Sequence, residues 1–177
     1  MVDVAKNLLA IKAQLPEGVE LTAVSKFHPD EYITAAYNVG QRIFGESHEQ
    51  ELARKAASLP KDIHWHFIGH LQTNKVKYIA PYISMIESVD SIRLLREIEK
   101  QGARCGRRIR VLLELHIAEE ATKYGLTPDD CRSLLADGEW QQMEHVEICG
   151  LMMMASHTDD HDQIAREMDT AHSFFDE

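Results

Sequence analysis

The sequence predicts an α/β fold, a TIM-type (β/α)8 barrel represented by about six βα units. Three observations predict it. Segments with apolar residues at helical spacing alternate with short apolar runs too brief to be helices. Each run leads into a helix rather than a tight turn, so the strands must be parallel and joined by right-handed crossovers. The first strand ends Ser25-Lys26-Phe27-His28-Pro29, without the glycine-rich turn that marks the ligand site of an open doubly wound sheet.

The elements follow in order. Residues 3–15 carry Val4, Leu8, Leu9, Ile11 and Leu15 on one helical stripe, ended by Pro16 and Gly18. Leu21-Thr22-Ala23-Val24-Ser25 is the first buried strand. Pro29 opens a helix that Gly40 closes near Val39. Arg42-Ile43-Phe44-Gly45 is the second strand, and Ser47 is placed to cap a helix running through Leu59. Trp65-His66-Phe67-Ile68-Gly69 is the third, with Thr73 capping a helix that stops around Pro81. Met85-Ile86-Glu87-Ser88-Val89 is the fourth, and Asp90 or Ser91 caps a helix ending before Gly102. Arg110-Val111-Leu112-Leu113-Glu114-Leu115 is the fifth, followed by a helix that Thr127-Pro128-Asp129-Asp130 opens and Gly138 closes. Val146-Glu147-Ile148-Cys149-Gly150-Leu151-Met152 is the sixth, and a last helix runs from about Asp160 to Phe175. A complete barrel has eight units and would run about 50 residues further. Residues 1–177 are therefore expected to form a single barrel domain, incomplete at its C-terminal end.

Composition bounds the function. The chain has 177 residues, 44% of them hydrophobic, which is enough for one domain with its own core. A formal net charge of −10 argues against nucleic acid or an anionic membrane as a partner. No run approaches the roughly 20 apolar residues of a membrane span. The amphipathic start, with Asp3, Lys6 and Lys12, does not read as a signal peptide. Cys105, Cys131 and Cys149 are odd in number and form no CxxC, which favours free thiols in a reducing, cytoplasmic setting.

Functional groups of a parallel sheet gather at the carboxyl ends of its strands, and Lys26 stands at such an end. A lysine partly desolvated there can act as a neutral amine on a carbonyl, whereas a surface lysine would snorkel to water. Glu46, Ser47, His70, Asn74, Ser88, Asp90 and His116 fall at the same rim, where several could equally cap helices. His64 and His66 form an HxH, but early in a strand and away from that rim. His157 and His161, at i and i+4, have no evident further ligands, so no metal site is expected. Met152-Met153-Met154 reads as an adaptable packing wall. Dinucleotide, P-loop and α/β-hydrolase motifs are missing.

Several of these segments resemble one family. Leu21-Thr22-Ala23-Val24-Ser25-Lys26, Phe44-Gly45-Glu46-Ser47 with Gln50-Glu51, and Trp65-His66-Phe67-Ile68-Gly69-His70-Leu71-Gln72-Thr73-Asn74-Lys75 resemble the pyridoxal phosphate homeostasis proteins of the YggS type. Ser88-Val89-Asp90-Ser91, Lys123-Tyr124-Gly125-Leu126 and Gly150-Leu151-Met152 fit the same pattern. The resemblance implies a barrel of the alanine racemase N-terminal type, standing without that enzyme's second domain. It implies that Lys26 holds pyridoxal 5′-phosphate (PLP) as a Schiff base, with Ser47, His70 and Met152 completing the cofactor-binding set.

The implied function is a PLP homeostasis or carrier protein without efficient catalysis. Its expected partners are PLP and small amines or amino acids, and the chain is expected to act as a monomer. The alternative is a PLP-dependent amino-acid racemase of low activity, which would need a second base. His70, Tyr124 and His116 are the residues that could supply one. Departures from the family are Ser47, where it commonly has asparagine, and His116-Ile117-Ala118-Glu119-Glu120 in place of Asn-Ile-Ser-Gly-Glu. The phosphate-binding loops after the family's seventh and eighth strands have no counterpart before Glu177.

Overall fold

A computed structural model describes residues 2–117 and 124–177. Residues 118–120 of the segment that departs from the family pattern, and Lys123 of the one that follows it, lie outside the described residues. Helix α1 (Val4–Lys12) leads six alternating pairs: β1 (Ala23–Val24) and α2 (Asp30–Asn38), β2 (Ile43–Glu46) and α3 (Glu49–Ser58), β3 (His64–Phe67) and α4 (Val76–Ile79). The remaining pairs are β4 (Met85–Val89) and α5 (Ile92–Cys105), β5 (Ile109–Leu115) and α6 (Pro128–Asp137), β6 (Val146–Met153) and α7 (His161–Asp176).

All the ladders are parallel and the spatial order is β1-β2-β3-β4-β5-β6, the same as the chain order. A doubly wound sheet reverses its strand order at a switch point, and the described strands contain none. Crossovers of one hand that never reverse put every helix on one face, which is the geometry of a barrel wall. The register shows that face directly. Glu46, Phe67, Ile86, Val111 and Ile148 form one row across β2–β6. Phe67, Ile86 and Val111 in it are buried with Ile33, Leu52, Ile79, Leu94, Ile98 and Leu134 from helices α2 to α6 in a single apolar core. The opposite face carries the row Val24, Gly45, His66, Met85, Arg110 and Glu147, and is the inner face of the wall.

The helix ends show why the chain alternates as it does. Side-chain oxygens of Asp3, Ser91, Thr127 and Asp160 accept backbone N–H groups at the heads of α1, α5, α6 and α7. Gly106 and Gly138 leave α5 and α6 through the left-handed conformation that glycine adopts without strain.

Three local expectations are corrected. Ser47 caps nothing: α3 starts at Glu49 after His48, because Ile68 N bonds to Glu46 O and the chain is still extended at that point. Thr73 opens a 3-10 turn (Thr73–Lys75), and α4 proper is only four residues long. Helix α5 also runs through Gly102 to Cys105. A Cβ at residue 102 would sit 2.9 Å from both Arg107 O and His145 Cβ, so this glycine permits a close approach rather than ending the helix.

Candidate functional site

The carboxyl ends of β1, β2 and β3 hold three of the four expected cofactor residues or their immediate neighbours. Ser25 N donates to Gly45 O at 2.9 Å, which prolongs the β1–β2 ladder by one residue and delivers Lys26 to the rim. Two-residue alternation puts Lys26 on the same side as Val24, the inner face. Its side chain is partly buried and makes no hydrogen bond or ion pair among the described residues.

Ser47 leaves β2 and lies against Gly69, which leaves β3. A Cβ on residue 69 would come within 2.7 Å of Ser47 Cβ and 2.9 Å of Ser47 Cα. Gly69→Ala should therefore push the two strand ends apart. The expected loss is about 1–3 kcal/mol of stability, read as a lower denaturant midpoint. Ser47 and His70 share a groove of about 460 Å³ with Lys75, whose ammonium pairs with Glu49 at 2.6 Å. His70 is itself held in place. Its Nδ1 lies 3.3 Å from Asp90 Oδ2, and its ring stacks on Tyr124 with centroids 3.9 Å apart. Met152 is on β6, with four strands between it and Lys26, and pairs in register with Glu114. Thus Ser47 and His70 are brought together, Lys26 stands on the flanking strand, and Met152 lies at the far edge of the wall.

Glu114 was not expected as a site residue. It is only 4% exposed, and its Oε2 is buried without a hydrogen-bond partner. Burial pushes its carboxyl above the usual range and the nearby Asp90 adds to this, while His70 and His116 pull the other way. The unfolded chain loses this proton near 4.5, before the folded protein does. Stability from this group is therefore complete below that value and is lost as pH rises through the folded pKa. Glu114→Gln keeps the shape without titrating. Its denaturation midpoint should gain on the wild type progressively as pH is raised.

His66 Nδ1 meets Glu87 Oε1 at 2.6 Å on the inner face, and His64 is exposed at the start of β3. His161 is the first residue of α7 and His157 precedes the cap Asp160, so their spacing does not place them on one helical turn. Among the described residues no group of three or more His, Cys, Asp and Glu is placed to hold a metal ion. No helix among them is long and apolar enough to cross a membrane. Cys105, Cys131 and Cys149 are free thiols.

A second unexpected cluster lies behind Lys26. Lys55 on α3 is fully buried, and its ammonium donates to Ser25 O, Glu46 Oε1 and Glu51 Oε1, each at 2.7 Å. Glu46 therefore faces the helices, not the inner rim where it was expected. Burial alone would raise the Glu51 carboxyl. Hydrogen bonds from Lys55 and Phe27 N, with the Lys55 charge, bring it below its ordinary value. Two signals could have found this cluster: the i,i+4 pair Glu51/Lys55, and the position of Glu46 two residues after buried Phe44.

Comparison with known proteins places this geometry. Residues 2–177 match the family model of the alanine racemase N-terminal domain. A pyridoxal phosphate homeostasis protein of Schizosaccharomyces pombe is 37% identical over 140 residues, covering 78% of this chain and 58% of that protein. One from Helicobacter pylori is 34% identical over 161 residues, covering 90% and 72%. The chain thus spans a little over half to about seven-tenths of the length of these curated relatives. Among solved structures, PipY of Synechococcus elongatus with PLP bound superposes with a TM-score of 0.87 at 33% identity, over 98% of this chain and 80% of that one. An alanine racemase of Clostridium difficile shares the fold, with a TM-score of 0.79 at 14% identity over 98% of this chain and 46% of the enzyme.

Proposed function

The chain belongs to the pyridoxal phosphate homeostasis protein family, built on the alanine racemase N-terminal domain, and from that membership we propose that it binds PLP covalently through Lys26. One observation carries the reading: a lysine with an unengaged amine stands where the first strand of an alanine-racemase-type wall opens onto its rim. PipY, 33% identical, was solved with PLP bound.

The residues present suit the aldehyde end and ring of that cofactor. PLP supplies an electrophilic aldehyde on an electron-poor ring. Lys26 supplies the amine, partly shielded from water at the strand end. Ser47, at the end of the neighbouring strand, offers a hydroxyl in the groove it shares with His70. His70, oriented by Asp90 and Tyr124, lines the same groove. Met152, the fourth expected residue, stands apart from this groove on β6 and would add a polarisable apolar side chain only from across the wall.

The role that fits is a PLP carrier that holds the cofactor and releases it to small amines or amino acids. A racemase needs a second base facing the reacting carbon. Of the residues that could supply one, His70 has its Nδ1 on Asp90 and its ring stacked on Tyr124. The net charge of −10 supports neither nucleic acid nor an anionic membrane as partner.

The test is chemical. The protein is incubated with PLP, reduced with borohydride and digested with trypsin. A phosphopyridoxyl group blocks cleavage at Lys26, so it should be found on the fragment of residues 13–42. Labelling spread over exposed lysines, with none at Lys26, sinks the proposal.

A further inference from the structure

We propose that Lys55, Glu46 and Glu51 are positioning residues for Lys26, clamping a strained turn that aims its amine at the rim. The inference rests on the reading of Lys26 as the cofactor lysine.

Residues 25–28 form a turn closed by His28 N donating to Ser25 O at 3.1 Å. Lys26 and Phe27 are its two central residues. Phe27 has φ +63°, and it is the one non-glycine residue with positive φ among those described. A side chain in that region costs roughly 1–2 kcal/mol, so something must hold it there. Its own burial does not, since Phe27 is 74% exposed and its ring lies 5.2 Å, centroid to centroid, from the His48 ring.

The holding groups are the hydrogen bonds on either side of Lys26. On one side, Ser25 O accepts from Lys55 Nζ at 2.7 Å, and Ser25 Oγ donates to Glu46 Oε1 at 2.5 Å. On the other, Phe27 N donates to Glu51 Oε1 at 2.9 Å. Lys55 ties both sides together by donating to both carboxylates. The network thus grips the backbone before and after Lys26 and leaves its side chain alone. Taking an ammonium and a carboxylate wholly out of water is a poor route to stability, and such groups are best rationalised by what they orient. A turn with a residue held in a sparsely populated conformation next to a reactive amine is where that orientation would be used.

Glu51 is the member to change, because it is the one partly open to solvent. Three variants are compared with the wild type: Glu51→Ala, Phe27→Gly and the double variant. Glycine adopts positive φ without cost, so Phe27→Gly removes the strain the clamp opposes. Two readouts are taken. One is the rate at which PLP becomes borohydride-trapped on Lys26. The other, without cofactor, is the rate of Lys26 modification by trinitrobenzenesulfonate together with amide exchange at Phe27.

Glu51→Ala should slow PLP trapping about tenfold, the factor that corresponds to the left-handed penalty once the clamp is gone. It should also change the cofactor-free modification rate and speed exchange at Phe27. The double variant should recover PLP trapping to within about threefold of wild type, since the turn then needs no clamp. A Glu51 that served only the fold would lower the denaturation midpoint without this recovery. Trapping unchanged in Glu51→Ala, or a double variant as slow as the single one, overturns the proposal. Wild-type protein that traps no PLP on Lys26 overturns the functional reading instead, and the cofactor-free readouts still decide the clamp. Unchanged modification and exchange in Glu51→Ala would then reject it.

Discussion

Lys26→Ala is expected to lose at least about a hundredfold of the PLP carried through desalting, because covalent capture by an amine is replaced by non-covalent contact alone, a difference of roughly 3 kcal/mol or more. Lys26→Arg should fail to the same degree. Arginine keeps the charge and most of the length, but its guanidinium stays protonated and cannot condense with an aldehyde. This pair of variants separates nucleophilicity from electrostatic attraction to the phosphate, which arginine would preserve or improve. Lys77→Ala, on the exposed side of α4, serves as the control and should leave retention unchanged. Both Lys26 variants should also keep the wild-type unfolding free energy to within about 0.5 kcal/mol, because the side chain makes no hydrogen bond or ion pair among the described residues. Retention by Lys26→Ala equal to wild type would remove the basis of the functional reading.

The strand-and-helix alternation was legible because burial there is decided locally. Met85–Val89, an apolar run flanked by polar residues, is a strand over the same five residues that the sequence marks. Lys26 was legible for a related reason, since strand ends in a parallel wall need only the order of elements to be placed. The first strand was harder: among the described residues β1 is bonded only to β2, and its ladder covers Ala23–Val24 rather than five residues. Ser47 was misread because capping and strand extension compete for the same residue. The ladder partner that decides the contest, Ile68 N on Glu46 O, belongs to another strand. Lys55 and Glu114 were not legible as buried groups. A lysine on an amphipathic helix and a glutamate in an apolar strand look solvated until the register shows which row each joins. Glu46 joins the row of Phe67 and Ile86, which obliges α3 to supply a cation.

That obligation makes Lys55→Met the change with the largest expected effect on stability. The substitution keeps the volume and apolar stem of the side chain but removes three hydrogen bonds at once. Glu46, fully buried, is left with Ser25 Oγ on Oε1 and with Oε2 already lacking a partner. Breaking one side of a buried ion pair costs about 3–5 kcal/mol, because the remaining charge has no solvent and no counter-ion. For a domain of this size that corresponds to a fall of about 6–20 °C in Tm. Replacing both partners distinguishes this cost from lost packing. Lys55→Met with Glu46→Met leaves no wholly buried charge, only Glu51, which is partly open to solvent, and should recover more than half of the deficit, with Ser25 Oγ falling back on Gly45 O, already within 3.4 Å. Denaturant unfolding of the wild type, both single variants and the double one measures the coupling directly. A single-variant loss under about 1 kcal/mol would mean that water reaches the site and that the pair is no more than a surface ion pair in its energetics. The same double variant also probes the rim: it should fold well yet present Lys26 poorly, because Ser25 O and Glu51 have lost the ammonium that joined them.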